Sequence, residues 1–449
     1  MIRRGSLVLL GGALLAAVVA RWVVLQDETQ LAALPAVARA AWRPSVPWLP
    51  LTPRARLLQA QAAAPGDPAA YEAAWLAAHR AQPHDPDPLF RLAEGRRVRG
   101  DRATADQLVA AAVRLAPAYA RTHQRAAGYW AARGDLAALL AHASQALILA
   151  PASRDTFFPM FQDLLAHPER PAALADYART RPPWWPDFFR HVARHAPRTA
   201  LDALYALHRQ SGAPPLSPGE RTAYVNRLLR DGDATRAYLH WMGGLSTAER
   251  AQLGLLYNGR FDLPLDNQPF GWVVKTPAPF RVRTGTTAGA RGSALELRFR
   301  QFTARFDHLR QRLLLPPGDY QLQGRVRLDA LQSPAGLQWR LECAAGTPSD
   351  AGRVLAASTP LVGIAPWRDF ALPFTVPAEC PQQVLKLVSA GTRPFEYRLE
   401  GGLWFDEFAV RRATAAPGQE GDPSTPAPDA PAGAGAHDPD ARASGRAPR

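Results

Sequence analysis

"LLYNGRFDLPLDNQPFGW", residues 255–272, divides the chain into two kinds of sequence. Before it the residues are mostly Ala, Leu and Arg at helical spacing. After it apolar and polar residues alternate, with Gly, Pro and Asp clusters at short intervals, which is the pattern of half-buried strands. The stretch itself reads as a junction. Leu255–Tyr257 ends the helical part, Asn258-Gly259 turns the chain into the first strand, and Phe261 and Trp272 anchor that strand and its return in a core.

At 449 residues, the chain is long enough for two or three domains at roughly 100–200 residues each. Hydrophobic residues make up 47%, so each domain can bury a core. The formal net charge is +14, carried almost wholly by Arg, because Lys occurs only at positions 275 and 386. The arginines are scattered among Ala and Pro and form no basic run interleaved with aromatics. Nucleic acid is therefore excluded as a partner, whereas an Arg-lined surface facing an acidic polysaccharide stays open.

The chain opens "MIRRGSLVLLGGALLAAVVARWVVLQ". Arg3 and Arg4 precede an apolar run from Leu7 to Ala20, and after Arg21 comes a second run, Trp22–Leu25. This predicts an export signal over residues 1–26, either cleaved or kept as a single-pass anchor that leaves the bulk of the chain in the periplasm of a bacterial inner membrane. Two cysteines occur, Cys343 and Cys380. They are either a disulfide or two separate buried thiols, and the export signal favours the disulfide.

Residues 50–252 read as a helical array, clearest over 50–151. Gly66-Asp67, Gly100-Asp101 and Gly134-Asp135 are 34 residues apart, and so are Pro83, Pro117 and Pro151. Ala78, Ala112 and Ala146 stand twelve positions after each Gly. A Gly-Asp turn between helices, an Ala where they approach and a Pro that ends the second helix make one physical unit. This unit resembles the tetratricopeptide repeat, which implies an α-solenoid that binds protein partners. Gly232-Asp233 with Ala237 looks like a divergent later copy. Trp184, Trp185, Phe188 and Phe189 are read as core packing, and His191 and His195 as a helix face lacking a third metal ligand.

The strand-rich region, 255–412, carries an ordered set of landmarks: "NGRFD" (258–262), Trp272, "GSALEL" (292–297), "LLPPGDY" (314–320), "WRDF" (367–370) and "WFDEF" (404–408). The set resembles the carbohydrate-binding-module type of galactose-binding-like jelly roll. That resemblance implies a β-sandwich with a structural Ca²⁺ held by Asp262 and Asp406, with Glu407 beside them. It also implies sugar stacked on aromatics, for which Trp339, Trp367, Phe395 and Tyr397 are the candidates. Residues 413–449 are too poor in large apolar residues to bury anything and read as a disordered tail.

No nucleophile elbow, phosphate loop or zinc-ligand helix occurs, so the chain reads as non-enzymatic and requires no cofactor, the structural Ca²⁺ being only what the resemblance implies. The layout of membrane signal, helical array and jelly roll resembles proteins associated with bacterial exopolysaccharide biosynthesis and export. It implies a scaffold whose repeats bind envelope proteins of a polysaccharide assembly or secretion system and whose jelly roll binds glycan or a subunit. The alternatives are a general envelope scaffold without sugar binding and a glycan-modifying enzyme.

Overall fold

The computed structural model describes residues 4–62, 67–167, 170–275, 280–345 and 352–413. Helices fill the first half and two antiparallel sheets the second. Gly66 and the tail from 414 onward lie outside the described residues.

The first helix, Arg4–Ala33, does not act as the expected anchor. Arg21 splits its apolar run, and Asp27 and Glu28 follow within two turns. Asp27 is 3% exposed and accepts hydrogen bonds from the Ser45 N–H (3.0 Å) and Oγ (2.6 Å), while Thr52 donates to Glu28. These bonds dock the end of the helix onto the segment that follows it. Among the described residues no helix is long and apolar enough to cross a membrane. That finding overturns the single-pass anchor and the inner-membrane placement.

Beyond it, helix hairpins recur with the 34-residue period. Helices Asp87–Val98 and Arg102–Leu115 form one, and Ala120–Arg133 and Leu136–Leu149 the next. At each turn the Gly is left-handed (φ 83° at Gly100, 75° at Gly134) and the Asp caps the following helix. Asp101 accepts from the Thr104 N–H and Asp135 from the Ala138 N–H. Asp67 and Asp233 do the same for helices Pro68–Ala81 and Ala234–Gly243. Each cap satisfies a backbone donor that has no partner within its helix. Ala78, Ala112, Ala146 and Ala237 are buried where helices meet, and Pro83, Pro117 and Pro151 stand just beyond the helix ends.

Residues 255–272 join the two halves by sending alternate side chains into different cores. Tyr257 and Phe270 enter the helical core against Trp241 (ring centroids 5.1 and 5.4 Å), and Gln268 accepts from Trp241 Nε1 at 2.6 Å. Leu256, Phe261 and Trp272 enter the core of the sandwich. Asn258-Gly259 does not lead into a strand. Asn258 is left-handed (φ 49°), exchanges two hydrogen bonds with Leu263, and its carbonyl accepts from Trp272 Nε1. The expected first strand at this point is thus an irregular clasp, and strand pairing begins at Trp272.

The strands are β1 (Trp272–Val274), β2 (Phe280–Gly285), β3 (Ala294–Phe302), β4 (Leu309–Leu313), β5 (Gly318–Gln332), β6 (Leu337–Ala345), β7 (Val354–Ala357), β8 (Gly363–Val376), β9 (Gln382–Ser389) and β10 (Leu399–Arg412). The first sheet has the order β1-β4-β9-β6-β7 and the second β2-β3-β10-β5-β8. From β3 onward the chain mostly alternates between sheets, so the Pro316–Asp319 turn crosses from one layer to the other. Trp272, Trp339, Phe405 and Phe408 meet edge to face between the layers. A disulfide joins Cys343 on β6 to Cys380, just ahead of β9.

Candidate functional site

The outer face of the second sheet brings polar and aromatic side chains together. Its composition follows from strand alternation. In β5 the buried positions Tyr320, Leu322, Val326 and Leu328 leave Gln321, Gln323, Arg325, Arg327 and Asp329 pointing outward. Register then assembles rows across the strands. Arg283, Glu296, Trp404 and Arg327 make one, Arg281, Arg298, Gly402 and Asp329 the next, and Asp406, Arg325 and Asp369 a third.

In the first row the Arg283 and Arg327 guanidiniums lie over the Trp404 indole, 5.8 and 5.5 Å from its ring centre. Arg283 and Arg298 both bind the buried Glu296, and Arg298 also pairs with Asp329. The hydrogen bond to Asp329 is the main cause that raises the Arg298 pKa above its ordinary value, against the opposing effect of burial. These ion pairs fix the side chains in direction.

The loop between β2 and β3 crosses this face. The Ala288 carbonyl accepts from Trp367 Nε1 (2.9 Å), the Gly289 carbonyl from Arg325 (3.1 Å) and Thr287 Oγ1 from Arg327 (3.0 Å). Its far end is tied to β10, where the Arg291 N–H donates to Asp406 and its guanidinium pairs with Glu407 (3.0 Å). Glu407 sits in a bulge with φ 53°, which turns its side chain to the loop. Beside the loop a cavity of about 530 Å³ opens, lined by Arg291, Gln323, Arg325, Asp369, Glu407 and Arg411.

Of the four aromatics nominated from sequence, Trp367 alone lies on this face. It is part-exposed, with the Arg325 guanidinium 5.2 Å from its ring centre. Trp339 is 1% exposed between the sheets, so it is a core residue and no platform. Phe395 (66% exposed) and Tyr397 sit on the short turn Pro394–Tyr397 leading into β10, apart from Trp367, with the Tyr397 hydroxyl bound to the Thr392 carbonyl.

The side chains nominated for a Ca²⁺ clasp, Asp262, Asp406 and Glu407, each have partners within the protein. Both Asp406 oxygens accept backbone N–H groups, from Arg291 (2.9 Å) and Glu407 (2.7 Å). Glu407 is paired with Arg291, and Asp262 lies 3.7 Å from Arg260. A hard cation takes several oxygen ligands, backbone carbonyls among them. Among the described residues no group of three or more His, Cys, Asp or Glu is placed to hold a metal. Backbone N–H groups and arginines engage these carboxylates. Trp184, Trp185, Phe188 and Phe189 are buried in the helical core, and the His191 and His195 rings lie 5.0 Å apart.

Sequence reasoning left an Arg-lined surface open but did not single out these arginines, and it took Trp404 only as a landmark. A signal for them was present: "FRVRTG", "LRFR" and "GRVRL" each place two Arg at alternate positions, the parity that faces away from the core.

No protein-family model matches the sequence, and neither does any curated protein. The C-terminal region resembles the jelly-roll folds of carbohydrate-binding modules. A structure described as "CBM4 structure and function" is similar over 35% of this chain and 99% of its own, at 16% identity and TM-score 0.26. The CBM22-1 xylan-binding domain of Paenibacillus barcinonensis Xyn10C is similar over 35% of this chain and 94% of its own, at 17% identity and TM-score 0.26. TmCBM61, solved in complex with beta-1,4-galactotriose, is similar over 36% and 99%, at 15% identity and TM-score 0.25. Likeness at this level says nothing of what this chain binds.

Proposed function

We propose that the chain is a non-catalytic binding protein whose sandwich holds a glycan on the outer face of the second sheet, while its helix hairpins, read as tetratricopeptide-type, hold a protein partner. The observation that carries this reading is the part-exposed Trp367 next to Arg325, which with Gln323 and Asp369 lines a polar cavity. An indole offers an apolar platform to the C–H face of a sugar ring, and amide, guanidinium and carboxylate groups can bind its hydroxyls from the rim. In its finer form, taken from the sequence resemblance, the glycan is an exopolysaccharide and the partners belong to its assembly system.

Affinity electrophoresis of the full chain through gels containing neutral or acidic polysaccharides tests the reading. Migration is expected to be retarded in at least one gel, and Trp367→Ala is expected to abolish the retardation. Free migration in every gel would leave the chain a protein–protein scaffold. Release of new reducing ends from any retarding polymer would make it an enzyme.

A further inference from the structure

Trp404 sits at the centre of the outer face yet is only 5% exposed, because two guanidiniums cover it. Its indole N–H is buried and has no acceptor among the described residues. The ring therefore serves as a flat floor that holds Arg283 and Arg327 in place by cation–π attraction. Neither arginine is used up by its partners. Arg283 shares Glu296 with Arg298, and among the described residues Arg327 is tied only to neutral oxygens of the loop, at Thr287 and Ala288. β2, β3 and β5 each present two outward arginines, and the acids set among them are Glu296, Asp329, Asp369 and Asp406. The cations are in excess.

Resting on the reading that this face binds glycan, we propose that it selects carboxylate-bearing polysaccharides, with Arg283 and Arg327 taking a uronate carboxylate above Trp404. A planar guanidinium offers two parallel N–H donors that match the two carboxylate oxygens, and such charge-assisted pairs exceed neutral ones in strength. A neutral sugar seated there would cover two guanidiniums without supplying the charge that compensates their desolvation. Trp404 is a positioning residue, acting through the arginines.

The test measures binding of the full chain to polygalacturonate, alginate and hyaluronate, each beside its carboxyl-reduced neutral form, and to dextran sulfate. At least one carboxylated polymer is expected to bind on the order of tenfold or more tighter than its reduced form. Arg283→Gln/Arg327→Gln should remove that preference while leaving the weaker neutral binding in place. Trp404→Leu should weaken the preference with less effect on the neutral form. A reduced form that binds as well as its parent overturns this inference and leaves glycan binding standing. Equal binding of dextran sulfate, weakened equally by the double variant, overturns the carboxylate assignment in favour of unspecific charge attraction. Binding to no polymer overturns both readings. Arg310→Gln, an exposed β4 position on the first sheet and off this face, serves as the folded control and should bind as the parent does.

Discussion

Two glycines with opposite reasons for being glycine show how single residues hold this chain. Gly259 lies in the clasp, where its carbonyl accepts the Phe408 N–H at 2.8 Å. A Cβ there would overlap the Phe408 carbonyl oxygen, which belongs to the backbone and cannot swing aside. Gly134 has open space around its missing Cβ, and only its φ of 75° is unfavourable for other residues. Overpacking typically costs about 1–3 kcal/mol, and a left-handed residue about 1–2 kcal/mol. Gly259→Ala is therefore expected to lower stability in urea unfolding more than Gly134→Ala does. It should also loosen the contact between the clasp and β10, so that the Phe408 amide exchanges faster with solvent. Equal losses for the two variants, with unchanged exchange at Phe408, would show that the backbone approach is not tight.

At the scale of elements, the disulfide between β6 and the segment ahead of β9 closes a loop with a sequence separation of 37. In the chain-entropy description, such a loop removes about 4 kcal/mol of freedom from the unfolded chain. Cys343→Ala/Cys380→Ala is expected to lower the sandwich's stability by about 2–4 kcal/mol, leaving the helix hairpins' circular dichroism unchanged at low denaturant. An unchanged midpoint for the sandwich transition would mean that packing already fixes this loop. The helix hairpins were legible in the sequence because each is local: Gly, Asp, Ala and Pro act within their own turn or the next. The sheets were less so. Alternation gives the face of a residue but not the strand beside it, so the turn at Pro316–Asp319 gave no sign that it crosses between layers. Parity alone, however, would have placed Trp339, which shares it with Leu337, Leu341 and Cys343, in the core. Trp367 could not be placed that way, because the register of β8 against β5 shifts near it.

For the whole molecule, the histidines distribute acid sensitivity unevenly. Burial lowers the pKa of His142, His191, His208 and His240, all in the helical half, and of His308 in the sandwich. Neighbouring charges add to this: His123 acts on His142, His195 and Arg194 on His191, Arg181 on His208, and Arg236 and Arg209 on His240. Each group then binds its proton more readily in the unfolded chain, so stability rises with pH through this range. The contribution is complete above the ordinary histidine value of 6.5 and is lost as pH falls below it. Glu94, Asp106 and Glu249 are lowered by hydrogen bonds, to Arg97, Arg133 and Ser246 respectively, and lose their stabilisation only at more acidic pH, below the carboxylate range. Taking the protein from about pH 7.5 to about pH 5 should therefore lower the melting temperature of the helical signal more than that of the sandwich aromatics. Four lowered histidines stand against one. The two halves share Trp241, Gln268 and Phe270, so helical loss should reach the junction before the sandwich core. His142→Gln and His208→Gln together should flatten part of the slope, since neither replacement takes up a proton. A helical melting temperature that is level across that interval, or one that tracks the sandwich degree for degree, would refute the assignment of acid sensitivity to these histidines.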